Sequence, residues 1–298
     1  MLDTFLGNEQ FKGSLLAALR AGRLSHSLLF CGENGTGAGY AARCLAADFL
    51  YPNGGDGARL VMQNQCPEYI RIEGEGVSGD IKIDRVRAVR REIFNTAMSA
   101  GGRVVHIVGA DKMNASSANA LLKVLEEPPE NVLFILTAPS EAAVLPTLRS
   151  RCCIYAVSPV SESVCAAYLK QHFPTEKYTQ KLSAVFGGKI GAAVRCLSDA
   201  AAKAQFADAE ALAALCNAAD EYGSLALLAK YEKDRAAARS FLGFFAQICA
   251  AALRGAYPAL TAEIAARALP FVGEASAQIA ANVSQKLVMT QLGIKLAA

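Results

Sequence analysis

The chain has 298 residues, of which 53% are hydrophobic and 19% are charged, and its net charge is +3. A chain of this length has room for two or three domains with cores of their own, and the composition excludes a disordered protein. Because the net charge is small, it does not predict nucleic-acid binding, and any DNA contact has to come from a local basic patch.

The start of the chain and its cysteines both predict a cytoplasmic protein without membrane contact. The first residues lack the basic and apolar regions of a signal peptide, and the longest apolar stretch, residues 241–253, is interrupted by Gln247 and is too short to span a bilayer. The nine cysteines show no paired spacing. In a reducing compartment we expect them to be small buried hydrophobic residues.

The pattern up to residue 157 alternates short apolar runs with helical periodicity, which is typical of a parallel sheet covered by helices. The predicted strands are residues 27–31, 69–72, 103–108, 132–136 and 153–157. A helix is predicted over residues 115–127, because Asn114 is a favourable N-cap and Pro128 cannot continue a helix.

A second helix, predicted over residues 83–94, has apolar residues at helical spacing and a basic face. Its basic residues are Lys82, Arg85, Arg87, Arg90 and Arg91. They are candidates for DNA contact, because contacts to the phosphate backbone need only positive charge. The other interpretation is an ordinary solvated helix face, which is the commoner meaning of such a pattern.

After residue 158 the pattern predicts helices with short glycine-bearing breaks, and no strands. Breaks are expected near Gly187, Gly223, Gly255 and Pro270. The predicted domains are residues 1–157, 158–204 and 205–298. The fold class is therefore α/β followed by all-α.

A glycine-rich segment follows the first predicted strand and leads into a helical pattern, as in a phosphate-binding P-loop. Gly32, Gly35 and Gly37 fit this arrangement, and a turn before a helix is an anion site because backbone N–H groups face it. The motif G-x-x-x-x-G-K-[ST] needs a lysine for the phosphates and a hydroxyl for Mg²⁺, but Ala38 and Gly39 stand there. These replacements favour a structural turn over retained nucleotide binding.

The acidic residues of a P-loop ATPase are also missing. Such enzymes hold Mg²⁺ and position water with acids at the end of a second strand. Here the predicted strand 103–108 ends in Val108 and Gly109, and Asp111 comes too late. We expect no catalytic centre in this chain. The alternative, an active ATPase, would need a lysine at position 38 and acids at 108 and 109.

Two arginines lie in the segment Leu148-Arg149-Ser150-Arg151-Cys152, before the last predicted strand. Most arginines are solvated or ion-paired, and that is one interpretation. The other is an arginine finger, a guanidinium in a rigid surface turn that reaches the γ-phosphate of a neighbouring subunit. The residues alone leave both interpretations open.

Three segments resemble the bacterial clamp-loader AAA+ subunits of DNA polymerase III. They are residues 116–129 (SSANALLKVLEEPP), 148–152 (LRSRC) and 24–30 (LSHSLLF). Within that family the chain is most similar to the delta-prime members. The resemblance covers about residues 1–205 well; beyond them it rests mainly on length, helicity and residues 281–296.

The resemblance implies an AAA+ P-loop parallel-sheet domain, a small helical lid domain and a C-terminal helical collar that oligomerises. It implies that the partners are clamp-loader ATPase subunits, the delta subunit, the sliding clamp and, through the complex, primed DNA. Arg151 would be the trans finger, with Ser150 and Cys152 setting its turn. Thr137, after the fourth strand, would occupy the sensor-1 position, and Gly191 stands where an active lid carries its sensor-2 arginine.

One departure from the family concerns metal. Many relatives carry a four-cysteine zinc module between the P-loop helix and the second strand, where this chain has only Cys44 and Cys66. Two cysteines without a C-x-x-C pair cannot close a tetrahedral site. We therefore predict no zinc, and a shortened surface loop. His106 and His172 lack ligand-spaced neighbours and are expected to fill structural positions.

Together these features predict a clamp-loader subunit that does not hydrolyse ATP, has no cofactor, and keeps the loop glycines as a vestige. It would complete an ATP site on its neighbour through Arg151. The alternatives are an active clamp-loader subunit or other P-loop ATPase, and a structural scaffold without a finger.

Overall fold

The computed structural model describes residues 1–75, 79–93, 102–175 and 178–297. They form two compact units, Met1–Pro159 and Val160–Ala298. The predicted boundary at 157 therefore lies close to the junction of the units. The second predicted boundary, at 204, falls within a helix of the second unit, and that division stays a prediction.

In its described residues the first unit contains a sheet of five parallel strands with helices on both faces. The strands β1 to β5 are Ser27–Cys31, Tyr69–Glu73, Arg103–Val108, Val132–Ala138 and Cys153–Ala156. Their order across the sheet is β2-β3-β4-β1-β5. The helices α1 to α6 are Glu9–Arg20, Ala38–Leu50, Asp56–Met62, Ile83–Ile93, Ala115–Glu126 and Pro146–Arg149. All five predicted strands are confirmed.

Alternate residues of the central strands enter two separate cores, because successive side chains of a strand point to opposite faces. In β1, Leu28 and Phe30 pack with α1, α2 and α3, whereas Leu29 packs with α4, α5 and α6. A strand covered on both faces needs apolar residues throughout. This is why the strands are readable as continuous apolar runs in the sequence.

The fourth strand is two residues longer than predicted, and this corrects the position of Thr137. Thr137 lies inside β4 and pairs with Phe30 of β1 and Val108 of β3. The strand continues because β3 pairs with it as far as Thr137 and β1 pairs with it to its end, where Ala138 lies opposite Cys31. A backbone segment between two partners satisfies its hydrogen bonds best as a strand.

The helix α5 begins as predicted, and it ends one residue earlier than predicted. The side chain of Asn114 accepts a hydrogen bond of 2.9 Å from the Ser117 N–H and so caps the helix. The last helical residue is Glu126, two residues before Pro128. The helix α4 ends at Ile93 in the described residues, and position 94, its predicted end, lies outside them.

The segment between α2 and β2 is not simply the surface loop that was predicted. Residues 51–55 form a turn, but Asp56–Met62 is the helix α3. Its Ala58 and Val61 are buried in the same core as Cys44. Burial of these two apolar side chains stabilises the helix, as tertiary packing commonly does for short helices.

The second unit is helical throughout its described residues. Its helices α7 to α14 are Glu162–His172, Thr179–Val185, Ile190–Ser198, Ala200–Asn217, Glu221–Ala229, Arg235–Leu253, Ala262–Ala280 and Gln285–Ala297. One apolar core extends from Cys165 to Leu296. The predicted breaks near Gly187 and Gly255 are confirmed, since both lie between helices with positive φ.

The break predicted near Gly223 lies slightly earlier, at residues 218–220 between α10 and α11. Gly223 itself lies in the first turn of α11, where its N–H donates to the Asp220 side chain at 2.8 Å. The break predicted near Pro270 is wrong, because Pro270 lies inside α13. A proline removes one helical hydrogen bond, but Ala268 and Val272 beside it are buried, and packing of this face overrides the local cost.

One helix among the described residues, Arg235–Leu253, is long and apolar enough to cross a membrane by length and composition alone. Half of its apolar window is buried inside the protein. Its Phe241, Phe245 and Ile248 are fully buried. A core helix of a soluble protein passes the same test, so the signal is weak evidence for a membrane span.

Candidate functional site

The glycine-rich loop connects β1 to α2, as predicted. Gly35 and Gly37 have φ angles of 95° and 100°, a backbone region that favours glycine. Gly37 is the N-cap of α2, which begins at Ala38. The two glycines are therefore required by the path of the backbone, whether or not a phosphate binds there.

The loop is closely packed against its own unit. A Cβ atom added to Gly32 would lie 2.5 Å from both Thr36 Oγ1 and the Val157 carbonyl oxygen. A Cβ atom added to Gly37 would lie 3.0 Å from the ring of Phe5. The turn is thus shaped by contacts with the N-terminal segment and with the residue after β5.

The positions that bind phosphate and Mg²⁺ in a P-loop hold no suitable side chain. Ala38 is buried, and Gly39 faces His106, whose Cε1 lies 4.0 Å from where a Cβ atom would stand. His106 shares a 2.6 Å hydrogen bond with the Tyr69 hydroxyl. Burial, aided by Arg71 and Arg43, lowers the pKa of His106 to about 3. This histidine is therefore neutral and adds no positive charge beneath the loop.

The strand β4 lies beside β1, and β3 lies next to β4; the ends of β3 and β4 carry no paired acids in the described residues. Val108 and Gly109 follow one another there, and the Gly109 N–H donates to the Thr137 carbonyl at 3.0 Å. The Thr137 hydroxyl is buried and donates to the Ile107 carbonyl at 3.4 Å. A sensor-1 role for Thr137 stays a prediction.

Arg151 lies in the turn between α6 and β5, and three acceptors of its own chain hold its guanidinium. Its Nε donates to Glu126 Oε1 at 2.7 Å, and its Nη2 also bonds that oxygen. Its Nη1 donates to the Thr147 carbonyl at 3.0 Å and to Ser150 Oγ at 3.2 Å. The side chain is 31% exposed, so it lies in an ordered surface turn and is ion-paired.

The register of the sheet separates Arg151 from the loop. The first residue of β5, Cys153, pairs with Leu28 near the start of β1, whereas Cys31 at the end of β1 pairs with Ala156. Arg151 therefore lies at the end of the sheet where the strands begin, and the loop lies where they end. A strand rises by about 3.3 Å per residue, so β5 alone separates the two by roughly 10 Å or more.

The neighbours of Arg151 in its motif have different environments. Arg149 lies 3.8 Å from Glu141, and its Nε is buried without a hydrogen-bond partner in the part of the chain that the structure describes. Cys152 packs against the apolar core, and burial raises the pKa of its thiol to about 12. Ser150 bonds Arg151 directly. That Ser150 and Cys152 set the turn of Arg151 stays a prediction.

The sequence reasoning missed Glu126 as the partner of Arg151. The pair is 25 residues apart in sequence. A usable signal was present, because Glu126 ends a well-capped helix and the following strand, β4, starts at the same end of the sheet as β5. Phe5 beside the loop was also missed, and no local pattern pointed to it.

The helix α4 presents its basic residues to solvent. Its buried residues are Val86, Val89 and Ile93. Arg85 lies 3.9 Å from Glu75, and Arg87 lies 3.9 Å from Asp84. The other three basic residues are exposed and have no ion pair among the described residues: Lys82, Arg90 and Arg91. DNA contact by this helix stays a prediction.

Within the described parts of the chain, no group of three or more histidine, cysteine, aspartate or glutamate residues could hold a metal ion. Cys44 is buried in α2. The Cys66 thiol lies 3.5 Å from the Tyr51 hydroxyl and donates to Glu68 at 3.2 Å. Both cysteines pack in the core of the first unit.

The parallel sheet, the P-loop-like turn and the helical second unit together define an AAA+ P-loop protein. The fold is similar to that of a solved DNA polymerase III gamma-subunit-related protein from Thermotoga maritima, with a TM-score of 0.57 over 95% of this chain and 98% of that one. The two chains are 17% identical, so the likeness concerns the fold alone.

A family model described as "DNA polymerase III, delta subunit" matches residues 7–161, just over half of the chain. The chain belongs to this family. Two proteins named DNA polymerase III subunit delta' are each 31% identical to it. The match to the Haemophilus influenzae protein covers 51% of this chain and 48% of that protein. The match to the Escherichia coli protein covers 53% of this chain and 49% of that protein. The resemblance to the delta-prime members is confirmed.

Proteins with another subunit name are also similar to the chain. The DNA polymerase III subunit gamma/tau of Mycobacterium bovis is 31% identical over 49% of this chain and 26% of its own length. The chain spans about half the length of the delta' relatives from Haemophilus influenzae and Escherichia coli that it matches.

We expect the substitution Gly32→Ala to destabilise the first unit by about 1–3 kcal/mol, because a methyl group there overlaps Thr36 and the Val157 carbonyl. The measurement is urea unfolding of the full chain. Gly39→Ala is the matched control, since its nearest atom lies 4.0 Å away and alanine suits a helix better than glycine. Equal stability of Gly32→Ala and the wild type would show that the loop is not packed as described.

Proposed function

We propose that the chain is a non-hydrolysing subunit of the DNA polymerase III clamp loader. It helps to place the sliding clamp on primed DNA and supplies Arg151 in trans to the ATP site of an adjoining ATPase subunit. The observation that carries the proposal is the position of Arg151, which lies at the opposite end of the sheet from the chain's own loop. From that position Arg151 does not reach a phosphate at its own chain's loop, so as a finger it would serve the ATP site of another chain.

Hydrolysis within this chain is disfavoured by the residues around the loop. Catalysis of phosphoryl transfer depends on positioning and on neutralising the charge of the phosphates and of Mg²⁺-bound water. The lysine, the hydroxyl and both acids are replaced by Ala38, Gly39, Val108 and Gly109. With Gly191 at the sensor-2 position, ATP binding would be weak or absent, and the alternative of an active ATPase has no residue to support it.

Arg151 has the chemistry that a finger needs. A guanidinium stays charged at any physiological pH and offers five N–H donors in a planar fork that fits phosphate oxygens. It lies in a surface turn, is ordered by its own chain and keeps 31% of its side chain exposed. Arg149 is the weaker candidate, because part of its guanidinium is buried.

The partners follow from the family and from the charge on α4. The names of the relatives, delta' and gamma/tau subunits of DNA polymerase III, support assembly with ATPase subunits and the delta subunit in the cytoplasm. The exposed cations Lys82, Arg90 and Arg91, which have no ion pair within the described ranges, support contact with the phosphate backbone of primed DNA in that complex. A solvated helix face without a DNA role remains the second interpretation of α4.

The finger is tested in a reconstituted loader in which only the ATPase subunit adjoining this chain keeps its P-loop lysine. We expect Arg151→Ala to lower clamp- and DNA-stimulated ATP hydrolysis at that site by about 10³-fold or more, the range of known trans fingers. We expect Arg151→Lys to recover little, because an ammonium cannot form the two parallel bonds of a guanidinium.

The control for this experiment is Arg59→Ala, since Arg59 is also an exposed arginine paired with a carboxylate, Asp56, at 2.9 Å. It should leave hydrolysis unchanged. A wild-type rate for the Arg151→Ala complex, with normal assembly, would contradict the finger and leave the structural scaffold as the function.

The basic helix is tested by replacing Lys82, Arg90 and Arg91 together with glutamine. We expect the assembled loader to bind primed DNA more weakly. The slope of log affinity against log salt concentration should become shallower by about 1–3, because each phosphate contact contributes about 0.9 to it. The same change at Arg20, Arg23 and Arg59 is the control. Unchanged DNA affinity and slope would identify α4 as a solvated face.

A further inference from the structure

The guanidinium of Arg151 is almost saturated by its own chain. Arginine has five N–H donors, and the bonds to Glu126, Thr147 and Ser150 among the described residues engage four of them: one on Nε, two on Nη1 and one on Nη2. A phosphate of a neighbouring subunit therefore meets an arginine whose orientation is already fixed by other contacts.

The acceptors differ in strength. The carboxylate of Glu126 is charged and takes the Nε edge of the guanidinium, whereas the Thr147 carbonyl and the Ser150 hydroxyl are neutral and take Nη1. Charge-assisted hydrogen bonds are about twice as strong as neutral ones. A charged phosphate oxygen can therefore replace the neutral acceptors at Nη1 while Nε and Nη2 stay on Glu126.

Glu126 is itself held in place. It is the last residue of α5, whose residues Leu121, Val124 and Leu125 are buried in the core, and Pro128 prevents the helix from continuing. Its side chain is 47% exposed, so it contacts Arg151 at the surface rather than inside the core. The two groups come from separate elements, and their contact fixes the Arg151 side chain to a rigid helix.

We propose that Glu126 is the positioning residue of the finger. It holds Nε and Nη2 of Arg151 and so selects one rotamer, which leaves Nη1, with its neutral acceptors, available to a phosphate. This inference rests on the proposed role of Arg151, and Glu126 itself touches no substrate. Preorganisation of this kind raises the rate of the chemical step rather than the affinity for ATP.

The test uses the same single-site loader, with Glu126→Gln and Glu126→Ala in the full chain. We expect Glu126→Ala to lower kcat for ATP about two- to fivefold with little change in KM, because exposed ion pairs contribute modestly. Glu126→Gln, which keeps an acceptor oxygen, should lie between it and the wild type. The control is Glu127→Gln, an exposed neighbour without an ion pair among the described residues, which should behave as wild type.

The double variant Glu126→Ala/Arg151→Ala separates positioning from a general structural effect. If Glu126 acts through Arg151, the double variant is no slower than Arg151→Ala alone. The inference is overturned if Glu126→Ala lowers kcat in the Arg151→Ala background by the same factor as in the wild-type background. It is also overturned if the single variant Glu126→Ala has a wild-type or a raised kcat. A loss with Arg151→Ala but none with Glu126→Ala overturns only the positioning role, whereas no loss with Arg151→Ala overturns the proposed function.

Discussion

All the strands of the sheet run in one direction, and this constraint fixes where chemistry can occur in the first unit. The carboxyl ends of β1, β3 and β4 meet at one edge, where the loop, Val108 and Thr137 lie. A P-loop enzyme places its phosphate ligands and acids at that edge. In this chain that edge carries glycines and apolar residues, with the neutral His106 beneath the loop, and the partly exposed guanidinium of Arg151 lies at the opposite edge.

The arrangement explains why the loop needs these glycines although position 38 is not a lysine. Gly35 and Gly37 have positive φ, and Gly32 fits a space that a methyl group would overfill. These requirements come from the connection between β1 and α2 and do not involve a phosphate. The Arg151 contacts have the opposite character, because they lie at the surface and two of them are to neutral acceptors, which bind a guanidinium more weakly than a charged group does.

Much of the fold was predictable because it depends on local chemistry. The buried strands appear as apolar runs, and Asn114 and Pro128 mark the two ends of α5 through hydrogen bonding and ring geometry. The predicted element boundaries were wrong where contacts with residues distant in sequence determine the local structure. The end of β4 depends on two neighbouring strands, and Pro270 is tolerated within α13 because the face around it is buried.

The candidate site was also predictable only in part. The sequence alone shows that the P-loop lysine and the acids are absent from their expected positions. The partner of Arg151 could be identified only from the tertiary structure, because Glu126 contacts it from the end of another helix. Sequence reasoning left Arg151 as either ion-paired or a finger. The structure contains the ion pair, and its exposed position at the far edge of the sheet is compatible with both.

The most direct test of the account is the ATPase rate of the isolated chain with saturating Mg²⁺ and ATP. The account predicts no hydrolysis above the uncatalysed background, because each residue that would hold Mg²⁺ or polarise the phosphates at the loop edge is absent. Turnover at about 1 per second or faster, in the range of ordinary enzymes, would contradict it. Such a rate would mean that the chain has an ATP site of its own.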